Sequence, residues 1–301
     1  MGVSNILIAR TDSESGKLLS SNIDPRDHEF LLGVVDVKAN DIKSQAQVLY
    51  ELEVSGASAD EINAAEIKWT ESHPLVTFTE AVKQKVGDNA KFKEFSTAIH
   101  GKSQFEAEAL AKSTFSQEFD WSPEVCRTKE GHYQYAAGIE PAISRVLAFA
   151  PYADMLWLET KIPDLKQAQT FAARIHEKFP NKHLVYNLSP SFNWDAAGYS
   201  DSDLKAFCWE LAKAGFVLQT VSVSGLHQAA VVSCELSRRY KEDGMLAYVD
   251  LIQRRERKVG TDVLTHQKWS GANYMDSIFQ MVQAGNSSTS SIGKDSTEHN
   301  F

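Results

Sequence analysis

Ten polar residues lie at or just beyond the predicted ends of four apolar segments and could together form a binding site. The first segment, 6–9, ends at a guanidinium and a carboxylate, and the three later ones end at acids, amides and hydroxyls. Ligands of parallel α/β sheets bind where strands end, because adjacent loops converge there. The ten residues are Arg10, Asp12, Glu159, Lys161, Asn187, Ser189, Ser191, Ser222, Ser224 and His227.

This set of side chains suits a small polycarboxylate. A guanidinium such as that of Arg10 binds a carboxylate through two hydrogen bonds, and amides and hydroxyls donate further ones. The acids could hold a divalent cation directly or through water. Each residue also has a purely structural interpretation: Arg10 could form an ion pair at the rim of the core, and Ser189 and Ser191 could cap the turn at Pro190.

The elements that must position these residues alternate between strand and helix. Apolar runs at 6–9, 155–159, 184–187 and 216–223 predict strands, and amphipathic periodicity predicts helices at 138–150, 165–179 and 201–214. This alternation predicts an α/β fold with a parallel sheet. Four such units would form the C-terminal half of an eight-stranded (β/α)8 barrel.

Two other regions differ from the α/β part in amino-acid composition. Residues 37–119 are rich in Ala, Glu, Lys and Gln at helical spacing, broken at 87–89, which predicts a helical insertion with Phe92, Phe95 and Phe105 in its core. Residues 229–259 are predicted to be helical with solvated charge runs, and the polar tail 285–301 to be weakly structured. The predicted segments are 1–36 (barrel strand and active-site loop), 37–120 (insertion), 121–228 (βα units) and 229–301 (C-terminal helices and tail).

Composition narrows the possible partners. A formal net charge of −9 over 301 residues argues against nucleic acid and against an anionic membrane surface. No apolar run approaches the ~20 residues needed to cross a bilayer, and the N-terminal residues do not read as a signal peptide. Cys126, Cys208 and Cys234 are widely spaced, which predicts a reduced intracellular protein with small buried thiols.

Several motifs resemble the isocitrate lyases in order and spacing, across nearly the whole chain. The run NLSPSFNW at 187–194 is the most specific of them. The others are ARTDSE at 9–14, IDPRDH at 23–28, RTKEG at 127–131, APYAD at 150–154, WLET at 157–160 and THQ at 265–267. No phosphate loop, zinc spacing or nucleophile elbow competes with them.

The resemblance implies a (β/α)8 barrel enzyme that uses Mg²⁺ to cleave a small tricarboxylate and releases succinate. It carries substrate binding onto Arg10, Asn187, Ser189, Ser191 and Ser222 and places Trp157 beside the pocket. Glu159 would lie near the water shell of the metal. The insertion at 37–119 resembles that of eukaryotic, fungal-type members.

Two elements of the family pattern are missing. The family's proton donor is a cysteine in a KKCGH-like loop, and a strand with a metal-binding aspartate precedes that loop. None of the three cysteines has that context, and no Asp-rich strand precedes Arg10. No catalytic residue is therefore assigned, and the chain is expected to be a fragment, a truncated product or one part of a split enzyme that is inactive alone. The alternative is a non-catalytic subunit that acts as an interaction partner.

Ser222 bears on the choice of substrate. Where isocitrate lyases usually carry threonine in a TLAGxH-like run, this chain reads SVSGLH at 222–227. The shorter side chain leaves room for a substrate methyl, which favours 2-methylisocitrate over isocitrate. A related barrel lyase acting on another 2-hydroxy acid is a further possibility.

The family resemblance also predicts assembly and location. It implies a homo-oligomer, typically a tetramer, or a complement to a missing N-terminal portion. A 2-methylisocitrate lyase would lie in the mitochondrial matrix, and an isocitrate lyase in the glyoxysome, peroxisome or cytoplasm.

Overall fold

The computed structural model describes residues 4–285, except for the side chains of Gln267 and Lys268. The chain divides into two compact units, Met1–Ser222 and Val223–Phe301. The strands are β1 (Ile8–Thr11), β2 (Leu18–Leu19), β3 (Leu32–Val35), β4 (Val76–Thr77), β5 (Trp121–Ser122), β6 (Tyr133–Gln134), β7 (Met155–Leu158), β8 (His183–Asn187) and β9 (Phe216–Thr220).

The helices of the first unit are α1 (Gln45–Val54), α2 (Ala59–Ser72), α3 (Phe78–Val86), α4 (Ala90–Ala98), α5 (Gln104–Phe115), α6 (Ile139–Phe149), α7 (Leu165–Lys178) and α8 (Asp201–Lys213). Those of the second unit are α9 (Ser224–Asp243), α10 (Met245–Tyr248), α11 (Arg254–Val259), α12 (His266–Trp269) and α13 (Ala272–Val282). A 3-10 helix spans Pro25–Phe30, another spans Val263–Thr265, and a π-helix spans Val249–Gln253.

The predicted α/β class and parallel sheet are confirmed. Four strands pair in the order β1-β7-β8-β9, all parallel. The register sets Arg10 opposite Trp157 and Asn187 opposite Thr220. Side chains of these strands therefore meet at the carboxyl edge of the sheet.

Helices cover one face of this sheet because their apolar residues recur at helical spacing. In α7 the buried residues are Ala168, Phe171, Ala172 and Ile175, which form one stripe. The Asp164 side chain accepts a hydrogen bond from the backbone N–H of Gln167 and so caps the first turn. These residues join Leu156, Leu184 and Tyr186 of the strands in the main core.

Five helices, α1 to α5, lie in the predicted insertion, and they pack on a second sheet of order β4-β3-β5. The predicted break at 87–89 is confirmed, since α3 ends at Val86 and Asn89 caps α4. Phe92 and Phe95 are buried as predicted, but Phe105 is 80% exposed, so its assignment to the core was wrong. It lies on the solvent side of α5, whose buried residues are Ala107 and Ala111.

Gly33 illustrates why that second sheet needs a glycine. A Cβ atom at this position would lie 2.6 Å from Cε2 of Trp121 and 2.7 Å from the carbonyl oxygen of Ser122. A real side chain would collide with the neighbouring strand, because β3 and β5 approach closely here.

The sequence misplaced two strand ends. Arg10 and Thr11 lie inside β1 and not beyond it, whereas β9 ends at Thr220 and not at 223. Val223 has a left-handed backbone, with φ of 51°, which ends the extended conformation before α9.

The second unit is helical between Ser224 and Val259, as predicted, and the charge run at 238–243 includes an exposed ion pair between Arg239 and Asp243. The predicted tail lies outside the described residues from 286 onward. Among residues 4–285, none of the helices combines the length and apolarity needed to cross a membrane. The four predicted segments stay a prediction as domain boundaries.

Candidate functional site

Four of the predicted site residues come together at the carboxyl edge of the main sheet. Nε of Arg10 lies 3.4 Å from Oε2 of Glu159, and the guanidinium carbon stands 5.1 Å from the centre of the Trp157 ring. The amide Nδ2 of Asn187 donates a hydrogen bond of 2.9 Å to Oε1 of Glu159. Glu159 therefore links the cation of β1 to the amide of β8. We call Arg10, Trp157, Glu159 and Asn187 the Arg10 cluster.

The parallel ladder explains why these residues meet. Arg10 and Trp157 are register partners, and the backbone N–H of Glu159 donates to the carbonyl of Thr11, which extends the ladder by one residue. Arg10 also lies 3.1 Å from the carboxylate of Asp12. The guanidinium is thus held between two acids and an aromatic ring while 48% of its side chain stays exposed.

Several buried polar atoms of this region have no hydrogen-bond partner within the described part of the chain. They are Oε2 of Glu159, Oδ1 of Asn187, Nε1 of Trp157 and Oγ1 of Thr220. Buried polar groups in native proteins are almost always hydrogen-bonded, so unpaired ones indicate a water, ion or ligand. The Arg10 cluster therefore has both hydrogen-bond donors and acceptors that could bind a water, an ion or a ligand.

The donor set is compatible with a hydrated Mg²⁺ ion at Glu159. Mg²⁺ prefers oxygen ligands and keeps several of its waters, so that one carboxylate and an amide oxygen can hold it through its hydration shell. Oδ1 of Asn187 has no hydrogen-bond partner among the described residues, and Oε2 of Glu159 has the 3.4 Å ion-pair contact with Arg10 but accepts no hydrogen bond there, so both fit that role. Among the described residues, no group of three or more His, Cys, Asp or Glu side chains could ligate a metal directly.

The structure places the two serines of the NLSPSFNW run differently. Ser189 is buried, and its hydroxyl accepts a hydrogen bond of 3.2 Å from the backbone N–H of Ser191. Nε1 of Trp194 donates to the carbonyl of Ser189 at 3.0 Å, which holds the turn against the core. Ser191 is exposed and lines a cavity of about 310 Å³ whose lining does not include Arg10.

Ser222 lies two residues beyond β9 and is half-buried. Its neighbour Thr220, opposite Asn187 in the register, is a residue that the sequence did not single out. Thr220 was placed in the interior of a strand that proved shorter than predicted. Ser224 and His227 belong to α9 in the second unit.

A partly buried ion pair between Arg145 and Asp27 was also not predicted from the sequence. Arg145 of α6 donates from Nε and Nη2 to the two carboxylate oxygens of Asp27, at 3.0 and 2.7 Å. The hydroxyl of Tyr135 donates to the same carboxylate at 3.3 Å, and burial raises the pKa of Tyr135 to about 12. Arg145 and Tyr135 line a cavity of about 240 Å³ together with Arg10. The only sequence signal was Asp27 itself, in the IDPRDH motif.

The cysteines are not alike. Cys126 is buried, and burial raises the pKa of its thiol to about 12, whereas Cys208 and Cys234 are exposed. The prediction of small buried thiols is therefore correct for Cys126 and wrong for the other two. Helix α8 turns Cys208 outward, because its core-facing positions are Phe207 and Leu211.

This difference predicts how the native protein reacts with a thiol reagent at pH 8. Cys208 and Cys234 should react quickly, and Cys126 should react only after unfolding, because the thiolate is the nucleophile. Titration with a chromogenic disulfide, before and after adding denaturant, measures the two classes. Rapid modification of three thiols in the folded chain would contradict the burial of Cys126.

Comparison with known proteins shows the family of the chain. A family model described as the isocitrate lyase family matches residues 1–301. The chain belongs to the isocitrate lyase family. A 2-methylisocitrate lyase of Hypocrea atroviridis, named as mitochondrial, is 47% identical over 310 residues, covering 100% of this chain and 54% of that protein.

Two yeast proteins are also similar to this chain over nearly all of its length. A mitochondrial 2-methylisocitrate lyase of Saccharomyces cerevisiae is 44% identical, covering 100% of this chain and 54% of that protein. An isocitrate lyase of the same yeast is 41% identical, covering 98% of this chain and 54% of the relative. The chain therefore spans about half the length of the curated relatives it matches.

Proposed function

We propose that this chain supplies the substrate-binding half of a carbon-carbon lyase that cleaves 2-methylisocitrate to succinate and pyruvate. The observation that carries the proposal is the Arg10 cluster, where a partly exposed guanidinium lies among buried polar atoms that lack partners. Such a site offers a small carboxylate both charge and hydrogen bonds.

The main sheet supports a place in a larger barrel. In the described part of the chain β1 and β9 each pair on one side only. Exposed apolar residues flank or lie on these edges, with Leu7 57% and Val217 55% exposed. Open edges with apolar side chains are unfavourable unless they are covered. We propose that four further strands close the sheet into a (β/α)8 barrel.

In the proposed reaction, removal of the hydroxyl proton lets the adjacent carbon-carbon bond break. Its electron pair stays on the carbon that becomes part of succinate, where the neighbouring carboxylate delocalises the charge. The guanidinium of Arg10 would bind that carboxylate and stabilise the charge as it develops. Trp157 and Glu159 would hold the guanidinium in place.

Mg²⁺, when bound, would supply positive charge for the alkoxide and for the keto-acid product. Glu159 and Asn187 would hold the ion through water, with Oε2 of Glu159 and Oδ1 of Asn187, which accept no hydrogen bond from the described residues, accepting from its hydration shell. The acid that protonates succinate is proposed to come from the part of the relatives that this chain does not span.

Ser222 supports the methylated substrate, as does the higher identity to the two relatives named 2-methylisocitrate lyase than to the yeast isocitrate lyase. Both of those relatives are named as mitochondrial, so we propose a mitochondrial location for the complete enzyme. On the family resemblance alone we also propose that it is a homo-oligomer.

Reconstitution tests the proposal. The chain is mixed with the separately produced part of the Hypocrea relative that it does not match, and Mg²⁺-dependent release of succinate is measured with either substrate. We expect cleavage only in the mixture, with 2-methylisocitrate preferred. Tight association without turnover would favour the alternative of a non-catalytic subunit.

The variant Ser222→Thr tests the specificity in the same mixture. The added methyl should lower the ratio of kcat/KM for 2-methylisocitrate to that for isocitrate by about 10-fold, since one methyl is worth roughly 1–3 kcal/mol. Ser113→Thr, at an exposed position of helix α5 in the insertion, is the matched control and should leave the ratio unchanged. An unchanged ratio in Ser222→Thr would remove Ser222 from the pocket wall.

A further inference from the structure

The cavity that contains Ser191 has a chemical character of its own. Its lining residues are Lys161, Ile162, Pro163, Ser191, Phe192, Asn193, Ala196 and Ala197. No acidic side chain belongs to this lining, and Lys161 is its single charged group among the described residues. Oδ1 of Asn193 accepts from the backbone N–H of Ala196, which leaves its NH₂ group to donate. An ammonium, an amide NH₂ and a hydroxyl together favour an anion.

Lys161 is carried by a short, well-anchored loop. The backbone N–H of Glu159 donates to Thr11, and Thr160 is buried. Beyond the lysine, the carbonyl of Pro163 accepts a hydrogen bond of 2.6 Å from the hydroxyl of Tyr199. The backbone on both sides of Lys161 is therefore held in place, which fixes where its side chain starts relative to the cavity.

A buried acid lies beside the lysine. Glu14 is 5% exposed, and its Oε1 lies 3.8 Å from Nζ of Lys161 and 3.3 Å from Nε2 of Gln167. Its other oxygen, Oε2, is buried without a hydrogen-bond partner. The Lys161 side chain is 62% exposed, so its ammonium can contact Glu14 and still reach a ligand in the cavity.

We infer that Lys161, with Ser191 and Asn193, binds a second carboxylate of the substrate, and that Glu14 is a positioning residue for Lys161. The inference deepens the proposed function and rests on it. Lys161 follows Glu159, the ion-pair partner of Arg10, by two residues, so both cations lie at the carboxyl edge of the sheet, where a ligand with several carboxylates would bind. The ligand class is a small di- or tricarboxylate, for which succinate is the probe.

The test is titration of the full chain with succinate, followed by NMR. Lys161→Gln should weaken the affinity about fivefold, the effect of losing one partly exposed charge contact, and Lys161→Arg should restore it to within about threefold. Lys166→Gln, at an exposed lysine on α7, is the matched control and should change the affinity less than twofold. Thermal unfolding of each variant verifies that it is folded.

Glu14 is tested by a double-mutant cycle. Glu14→Gln alone should weaken succinate binding, but in the Lys161→Gln background it should have no further effect, because it acts through the lysine. Equal effects in both backgrounds would mean that Glu14 acts on the fold and would overturn its role as a positioning residue.

Arg10→Ala separates this inference from the proposed function. If Arg10→Ala weakens binding and Lys161→Gln matches the Lys166→Gln control, Lys161 is not a ligand and the proposed function stands. If Lys161→Gln weakens binding and Arg10→Ala does not, Lys161 binds succinate without Arg10, and both the proposed function and the inference of a shared substrate fail. If the unsubstituted chain binds no succinate at millimolar concentrations, both are overturned.

Discussion

Arg10→Ala should weaken succinate binding by at least about 30-fold, because it removes the cation of the Arg10 cluster and leaves an acid behind. Without the guanidinium, the incoming carboxylate meets the side chain of Glu159, which is 18% exposed, with no cation between the two. The loss of attraction is thus joined by new repulsion. In the reconstituted lyase the same change should lower kcat/KM at least as much.

Two further variants define the Arg10 effect. Arg10→Lys keeps the charge but loses the planar pair of donors, so it should remain about 10-fold weaker than the unsubstituted chain. Arg174→Ala, which removes an exposed arginine paired with exposed Glu140, is the matched control and should leave the affinity unchanged. Succinate affinity within twofold of normal in Arg10→Ala would remove Arg10 from the site.

Asp27→Ala should lower the free energy of unfolding by roughly 3 kcal/mol, because removing one partner of a buried ion pair leaves the other charge uncompensated. The Asp27 side chain is 10% exposed and that of Arg145 is 27% exposed. The variant would also deprive the buried hydroxyl of Tyr135 of its acceptor. Urea unfolding followed by tryptophan fluorescence measures the change.

The control for Asp27→Ala is Glu140→Ala, which breaks the exposed Arg174–Glu140 pair and should cost less than about 1 kcal/mol. The double variant Asp27→Ala with Arg145→Met should be more stable than Asp27→Ala alone, since it removes the unpaired charge. Unfolding of Asp27→Ala within 1 kcal/mol of the unsubstituted chain would contradict the ion pair as a structural link.

Much of the fold could be predicted because its information is local. Helix α7 has an apolar stripe, a capping Asp164 and a stop at Pro180, and each of these features lies within the segment itself. The buried strands β7 and β8 have short apolar runs between helices, which predict a parallel sheet. This alternation of strands and helices also predicts that Arg10, Glu159 and Asn187 lie close together, because the carboxyl ends of parallel strands meet at one edge of the sheet.

The incorrect predictions concern features that depend on tertiary packing, about which the local sequence pattern carries no information. Phe105 has the helical spacing of a core residue, but α5 turns it to solvent. The apolar run at 216–223 continues beyond the point where β9 ends, since pairing with β8 stops at Thr220. Cys208 lies in an amphipathic helix, and only the packing of α8 decides that it faces outward.

The sequence by itself determined which chemistry is present: a guanidinium, an acid, an amide and hydroxyls at strand ends, in motifs specific to one family. The tertiary structure alone decided which of these groups touch. Arg145 meets Asp27 across 118 residues, and Lys161 lies beside Glu14 through the pairing of β1 with β7. Such contacts depend on strand register and loop closure, which the spacing of residues in the sequence does not encode. The cavity lined by Arg10 and the cavity lined by Ser191 could therefore be found only in the folded chain.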